Sequence, residues 1–145
     1  MCSSDLRGPA RRHAWQRTQV SNAPAGNDSQ PPPRAGEPIP AVFAVEPAEY
    51  HYNPIGVVHG GVAATLLDSA MGCAVHSALP AGAGYTSLEI KVNFVRPLTA
   101  ETGRVRCEAK LIHLGGRTAT AEGRVVDEAG KLYAHGTTTC LIFRS

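Results

Sequence analysis

In the stretch YTSLEIKVNF, residues 85–94, apolar and polar side chains alternate: Leu88, Ile90, Val92 and Phe94 take one side, and Ser87, Glu89, Lys91 and Asn93 the other. The same period of two runs through GRVRCEAKLIH, where Val105, Cys107, Ala109 and Leu111 face away from Arg104, Arg106, Glu108 and Lys110. Clean alternation of this kind predicts antiparallel strands with one covered face. RTATAEGRVV and KLYAHGTTTCLIF predict two further strands, with LGG and DEAG as the turns between strands, and PAVFAVEPAEYHY predicts a strand near residue 40.

Between the first strand and the other four the period changes. HGGVAATLLDSAMGCAVHSAL predicts one long helix, ended by Pro80 and the glycines of PAGAG. Val62, Ala63, Ala64, Leu66, Leu67, Ala70, Met71, Cys73, Ala74 and Val75 make it apolar nearly all round, so it is expected to be buried. Strand, helix and four antiparallel strands imply an α+β domain, one sheet folded around one helix.

Residues 1–38 follow neither period. They are rich in Arg, Ser, Ala, Gly and Pro with few large apolar residues, and are expected to stay disordered, leaving 39–145 as the single domain. The opening MCSSDL reads as the translated tail of a common sequencing adapter, so part of this segment is expected to be non-native; a natural arm carrying Arg7, Arg11, Arg12 and Arg17 is the alternative.

Composition narrows the function. The chain has 145 residues, 43% of them hydrophobic, which suits one domain with a real core. A net charge of +2 with both signs interleaved argues against a nucleic-acid surface. No apolar run approaches the roughly 20 residues of a membrane helix, and the N-terminus lacks the apolar centre of a secretory signal. Cys2, Cys73, Cys107 and Cys140 form no CxxC pair; three fall on apolar positions and read as reduced core thiols of a cytoplasmic protein.

Asp68 is the anomaly. A carboxylate in a buried helix is costly unless paired or at work, and Asp is a poor mid-helix residue. It could be satisfied by a backbone amide, Thr65 or Ser69, or it could be catalytic. Upstream, His59, Gly60 and Gly61 sit where the helix begins, and glycines there open backbone N–H groups to a ligand at the positive end of the helix dipole, the geometry of an oxyanion hole. The bland reading is a turn relieved of crowding and a capping histidine. His59 and Asp68 are nine residues apart, which at about 100° and about 1.5 Å per residue puts them on opposite sides of the helix. If both act on one carbonyl, they come from two subunits across a two-fold axis. Cys73 and His76 suggest a thiol–imidazole pair only weakly, since both suit a packed helix face.

Together Asn53, Pro54, Gly56, His59, Gly60, Gly61 and Asp68, in the pattern N-P-x-G-x-x-H-G-G-x₆-D, followed by SLEIKVNFVRP, resemble the hotdog-fold acyl-CoA thioesterases of the phenylacetic-acid-degradation (PaaI) type over about residues 40–143. The resemblance implies a hotdog fold, a long central helix wrapped by an antiparallel sheet. It implies hydrolysis of an aromatic or medium-chain acyl-CoA without metal or organic cofactor, by a homodimer that pairs into a dimer of dimers. Asp68 would act as base or nucleophile, Gly60 N–H as oxyanion hole, His59 as organiser of that loop, Asn53 as a positioning group, and Ser87, or Thr86 in a register one residue off, as the holder of the lytic water. Arg96 and Arg117, and less so Lys91, would meet the CoA phosphates, unless they are simply solvated strand charges. A hotdog dehydratase or hydratase and a non-catalytic acyl-CoA-binding domain are the competing readings. The family usually has a short helix and an extra strand before the first strand seen here, and residues 1–38 supply neither, so one sheet edge is expected to lack cover.

Overall fold

The alternating segments form strands at the expected places in the computed structural model, which describes residues 39–143. In chain order these are β1 (Ala41–Val45), helix α1 (Gly60–Ser77), β2 (Gly84–Phe94), β3 (Val105–Leu114), β4 (Thr118–Asp127) and β5 (Leu132–Phe143). They make one antiparallel sheet in the order β1-β3-β4-β5-β2. β1 and β2 are its two edges. The segment 1–38, with Cys2 and the adapter-like opening, lies outside the described residues.

The first strand is shorter than its sequence suggests. Pairing with β3 ends at Val45, just before Pro47, which cannot donate to a ladder, and residues Glu49–His51 coil into a 3₁₀ turn instead. The DEAG turn is as expected: Gly130 adopts φ +82° and donates to the Asp127 carbonyl, while the Asp127 carboxylate accepts from Lys131 N.

Helix α1 lies across one face of the sheet and buries Ala63, Leu66, Leu67, Ala70, Met71, Gly72, Ala74 and Val75. This corrects the expectation of a helix buried all round: Gly61, Thr65, Asp68, Cys73 and His76 are exposed in the single chain. The many alanines and glycines hid the amphipathicity, because small residues count as apolar without marking a face. Cys107 and Cys140 are core thiols, but Cys73 is not. Burial, then the neighbouring Glu108 carboxylate, push the Cys107 thiol up to about 12.

Close approach of helix to sheet depends on missing side chains. A methyl at Gly123 would lie 2.9 Å from Leu67 Cδ2, and one at Gly136 2.5 Å from the Lys91 carbonyl oxygen of the adjoining strand. Backbone cannot yield as a side-chain tip can. Gly136→Ala is therefore expected to cost about 1–3 kcal/mol, read as a melting temperature lower by at least about 4 °C; an unchanged melt would mean that β2 shifts freely against β5.

Candidate active site

The site begins in the loop before α1. Asn53 N donates to the Val57 carbonyl and Gly56, at φ +81°, closes a tight turn, while the Asn53 side-chain oxygen accepts from Ile55 N and Val57 N. Val58 N and His59 N then bond to the carbonyls of Leu98 and His51, which pins the loop at both sides. His59 is the helix N-cap: its Nδ1 accepts from Gly61 N at 2.9 Å, and its carbonyl accepts from Val62 N. Both glycines permit a close approach here: a methyl on Gly61 would stand 3.0 Å from His59 Nδ1 and one on Gly60 would stand 3.0 Å from the Phe94 ring. Gly60 thus presents its N–H at the positive end of α1 with the Phe94 ring closing over its Cα. Asn53, His59, Gly60, Phe94 and Arg96 share a cleft of about 390 Å³. The Arg96 guanidinium is anchored there by a 2.6 Å bond from Nη1 to the Leu132 carbonyl.

Asp68 lies two turns further along α1, exposed, and accepts a 2.9 Å hydrogen bond from Ser87 Oγ. The alternation in β2 would not permit this, because Ser87 and Phe94 fall on opposite sides of an unbroken strand. A β-bulge changes the parity: Ser87 pairs with Cys140, but Glu89 pairs with Thr139, so Leu88 is an extra residue. Ser87, Ile90, Val92 and Phe94 then stand opposite Cys140, Thr138, Gly136 and Ala134, all four buried against the helix. The helix-facing set is therefore Tyr85 and Ser87 before the bulge and Ile90, Val92 and Phe94 after it, which corrects the strict alternation expected. The fully buried Thr138 hydroxyl holds the bulge, donating 2.7 Å to the Glu89 carbonyl. Ser87, not Thr86, is the hydroxyl brought to Asp68.

The candidate residues thus fall into two groups along β2. Asn53, His59, Gly60 and Arg96 lie at the Phe94 end; Asp68 and Ser87 lie at the other. Eight residues of helix separate Gly60 from Asp68, about 12 Å along the axis. Arg117 belongs to the end remote from Arg96, its carbonyl accepting from Ile142 N beside the start of β2. Cys73 and His76 do not form a pair in contact; the His76 ring lies against Tyr85, centroids 5.6 Å apart. Phe94, Thr138 and Tyr85 were missed as site-shaping residues, although glycines in the first turn and middle of the helix were the available signal. Among the described residues no group of three or more His, Cys, Asp or Glu side chains could hold a metal ion, and no helix is long and apolar enough to cross a membrane.

A sequence profile of the Thioesterase superfamily matches residues 55–134, a span that contains Gly60, Asp68, Ser87 and both arginines. The chain belongs to this superfamily. Its helix-on-sheet architecture is the hotdog fold. A 1,4-dihydroxy-2-naphthoyl-CoA hydrolase of Escherichia coli is 35% identical over 80 residues, 55% of this chain and 57% of that protein. A Halobacterium salinarum protein that carries the name of an esterase is 40% identical over 76 residues, 51% of this chain and 48% of its own length. The matches thus span only about half the length of these curated relatives. Among solved structures, a thioesterase-named, phenylacetic acid degradation-related protein of Ralstonia eutropha is 30% identical with a TM-score of 0.64, covering 74% of this chain and 76% of that one. A Bacillus halodurans protein crystallised with CoA is 31% identical with a TM-score of 0.63, covering 72% and 66%.

The bulge makes a specific demand on Thr138. Thr138→Val keeps its shape but leaves the Glu89 carbonyl without its buried donor, so stability should fall by about 1–3 kcal/mol. Thr138→Ser, which retains the hydroxyl, should lose less. Equal melts for the two variants would show that the hydroxyl does not hold the bulge.

Proposed function

We propose that this superfamily member is a cytoplasmic acyl-CoA thioesterase that works as a homodimer, releasing free acid and CoA from aromatic or medium-chain acyl-CoA. The observation that carries the reading is the placement of two half-sites at opposite ends of one edge strand. Among the described residues β2 has a neighbour only in β5, and Leu88, at 58% exposed, and Phe94, at 60%, leave it an apolar flank. An unpaired edge of this kind is a template for a second strand. Antiparallel pairing of β2 with its copy, centred near Lys91, lays Ser87 of one subunit opposite the partner's Phe94. Asp68 then faces the partner's Gly60, as an isologous interface requires.

In that composite site each group has a task that its geometry suits. The Gly60 N–H, fixed by the His59 cap, donates to the thioester oxygen as negative charge develops on it. The Asp68 carboxylate, oriented by Ser87 Oγ, either takes a proton from the attacking water or attacks the carbonyl itself; in the first case Ser87 also holds that water. Asn53 braces the loop through its backbone bonds and keeps its amide N–H₂ for the substrate. Arg96, in the same cleft as Gly60, meets the CoA phosphates with a charge already positioned by Leu132. Arg117 reaches the same ligand only from the other subunit. No metal or organic cofactor enters this scheme, and the pairing of two such dimers is part of the proposal.

Hydrolysis of an acyl-CoA panel, followed by a free-thiol reporter, tests the activity: no thiol release from any member would overturn it, and stoichiometric binding without release would leave a binding domain. Asp68→Asn still accepts from Ser87 and should fold normally, yet lose about 10²-fold or more in rate. Unchanged turnover would remove Asp68 from the chemistry. The two-chain site is tested by co-refolding inactive Asp68→Ala and His59→Ala chains. Each mixed dimer has one intact site, and half of the dimers are mixed by random pairing, so activity should return to about a quarter of wild type. Mixed dimers with no recovery would show that no site draws a residue from each chain.

A further inference from the structure

Tyr85 is a helix-facing residue of β2 to which the scheme above gives no task. It precedes Ser87 by two positions on the same face, and its ring reaches α1 one turn beyond Asp68. There the helix has a notch: a methyl on Gly72 would lie 2.5 Å from the Tyr85 hydroxyl oxygen and 3.1 Å from two ring carbons. One turn further along α1 the ring meets His76 at a 48° tilt. Tyr85 is half-buried, and its hydroxyl lies close enough to feel the charge of Asp68. Burial first, then the Cys73 and Cys140 thiols and the Asp68 carboxylate, hold its phenol above the usual value, so it stays a neutral group beside the carboxylate.

A substrate with its carbonyl at Asp68 has two arms. On the thioesterase reading, on which this inference rests, the CoA arm runs toward the cleft holding the partner's Arg96, and the acyl arm runs the other way, along α1 toward Gly72. We propose that Tyr85 is a specificity-determining residue of this site: its ring closes the acyl pocket one helical turn beyond Asp68 and sets the longest acyl group that the enzyme turns over. The wall is firm because the ring is held between the Gly72 notch and His76, and a chain longer than the pocket must displace it. The ring rather than the hydroxyl does the excluding, which separates this role from a hydrogen bond to substrate or water.

The experiment is kcat/KM over a straight-chain series from butanoyl-CoA to tetradecanoyl-CoA, for wild type, Tyr85→Phe and Tyr85→Leu, each checked for a native melt. Tyr85→Leu should raise the ratio of the longest to the shortest substrates by about 10-fold or more, on the scale that one or two methylenes command in an apolar pocket. Tyr85→Phe should keep the wild-type ratio. Should Tyr85→Leu fail to fold, Tyr85→Met, which fills the space with a chain that yields, should move the ratio the same way. A folded variant in which all substrates fall in equal proportion, or in which the ratio stays at the wild-type value, overturns the role of Tyr85 while leaving the thioesterase intact. A shift in Tyr85→Phe as large as that in Tyr85→Leu also overturns it, because the hydroxyl would then be the determinant. A wild-type chain that hydrolyses neither any member of the series nor any aromatic acyl-CoA overturns the thioesterase reading and this inference with it.

Discussion

A buried hydroxyl holds one extra residue in an edge strand, and both ends of the candidate site depend on it. Thr138 donates to the Glu89 carbonyl at the point where Leu88 is inserted. A strand without that insertion has a period of two, so it can turn either Ser87 or Phe94 toward the helix but not both. With it, Ser87 reaches Asp68 and Phe94 lies over Gly60. The hydrogen bond therefore couples two places that never touch: it sets the partner of the Asp68 carboxylate at one end and the cover of Gly60 at the other. A bulge also increases local twist, and here it sits in a strand that, among the described residues, pairs on one side alone.

The second constraint is the straightness of α1. A helix that carries its N–H donor at Gly60 and its carboxylate at Asp68 holds them about 12 Å apart along its axis, too far for both to act on one carbonyl. A single chain therefore presents a donor without a carboxylate and a carboxylate without a donor. One-sided burial follows the same logic. Had α1 been buried all round by its own sheet, Asp68 would be sealed off; because only one face is covered, Thr65, Asp68 and His76 remain exposed.

Much of this was legible in the sequence. Alternation located all five strands, and turn chemistry located the hairpins. What could not be read were features without a sequence period. A bulge adds one residue and leaves the alternation of β2 looking intact, so the pattern puts Ser87 on the face opposite Phe94; the family resemblance offers it only as the holder of a lytic water, and its hydrogen bond to Asp68 was not anticipated. Pro47 cut short the first strand where propensity alone ran on. The helix misled for a different reason: Ala, Gly and Cys are too small to mark a buried face, and Cys73 was counted as core on polarity alone. Arg96 and Arg117 looked equivalent as candidate phosphate contacts or solvated strand charges, yet sheet order sends them to opposite ends of β2.

Those same small residues account for where the site lies. Glycine in a helix interior weakens it by roughly 1 kcal/mol relative to alanine, so Gly72 in the middle of α1 needs a compensating reason, and Gly60 at its first position needs one against better capping chemistry. Each glycine receives an aromatic ring from β2, Gly60 from Phe94 and Gly72 from Tyr85, at distances that any Cβ would obstruct. The two notches bracket Asp68 along the helix. An aromatic ring seated in each fixes the separation of strand and helix at both ends of the segment between them, and within that separation a serine on the strand can just span to a short carboxylate on the helix. A glutamate in place of Asp68 would reach past Ser87 by a methylene, so the choice of the shorter acid follows from how closely the glycines let the strand approach.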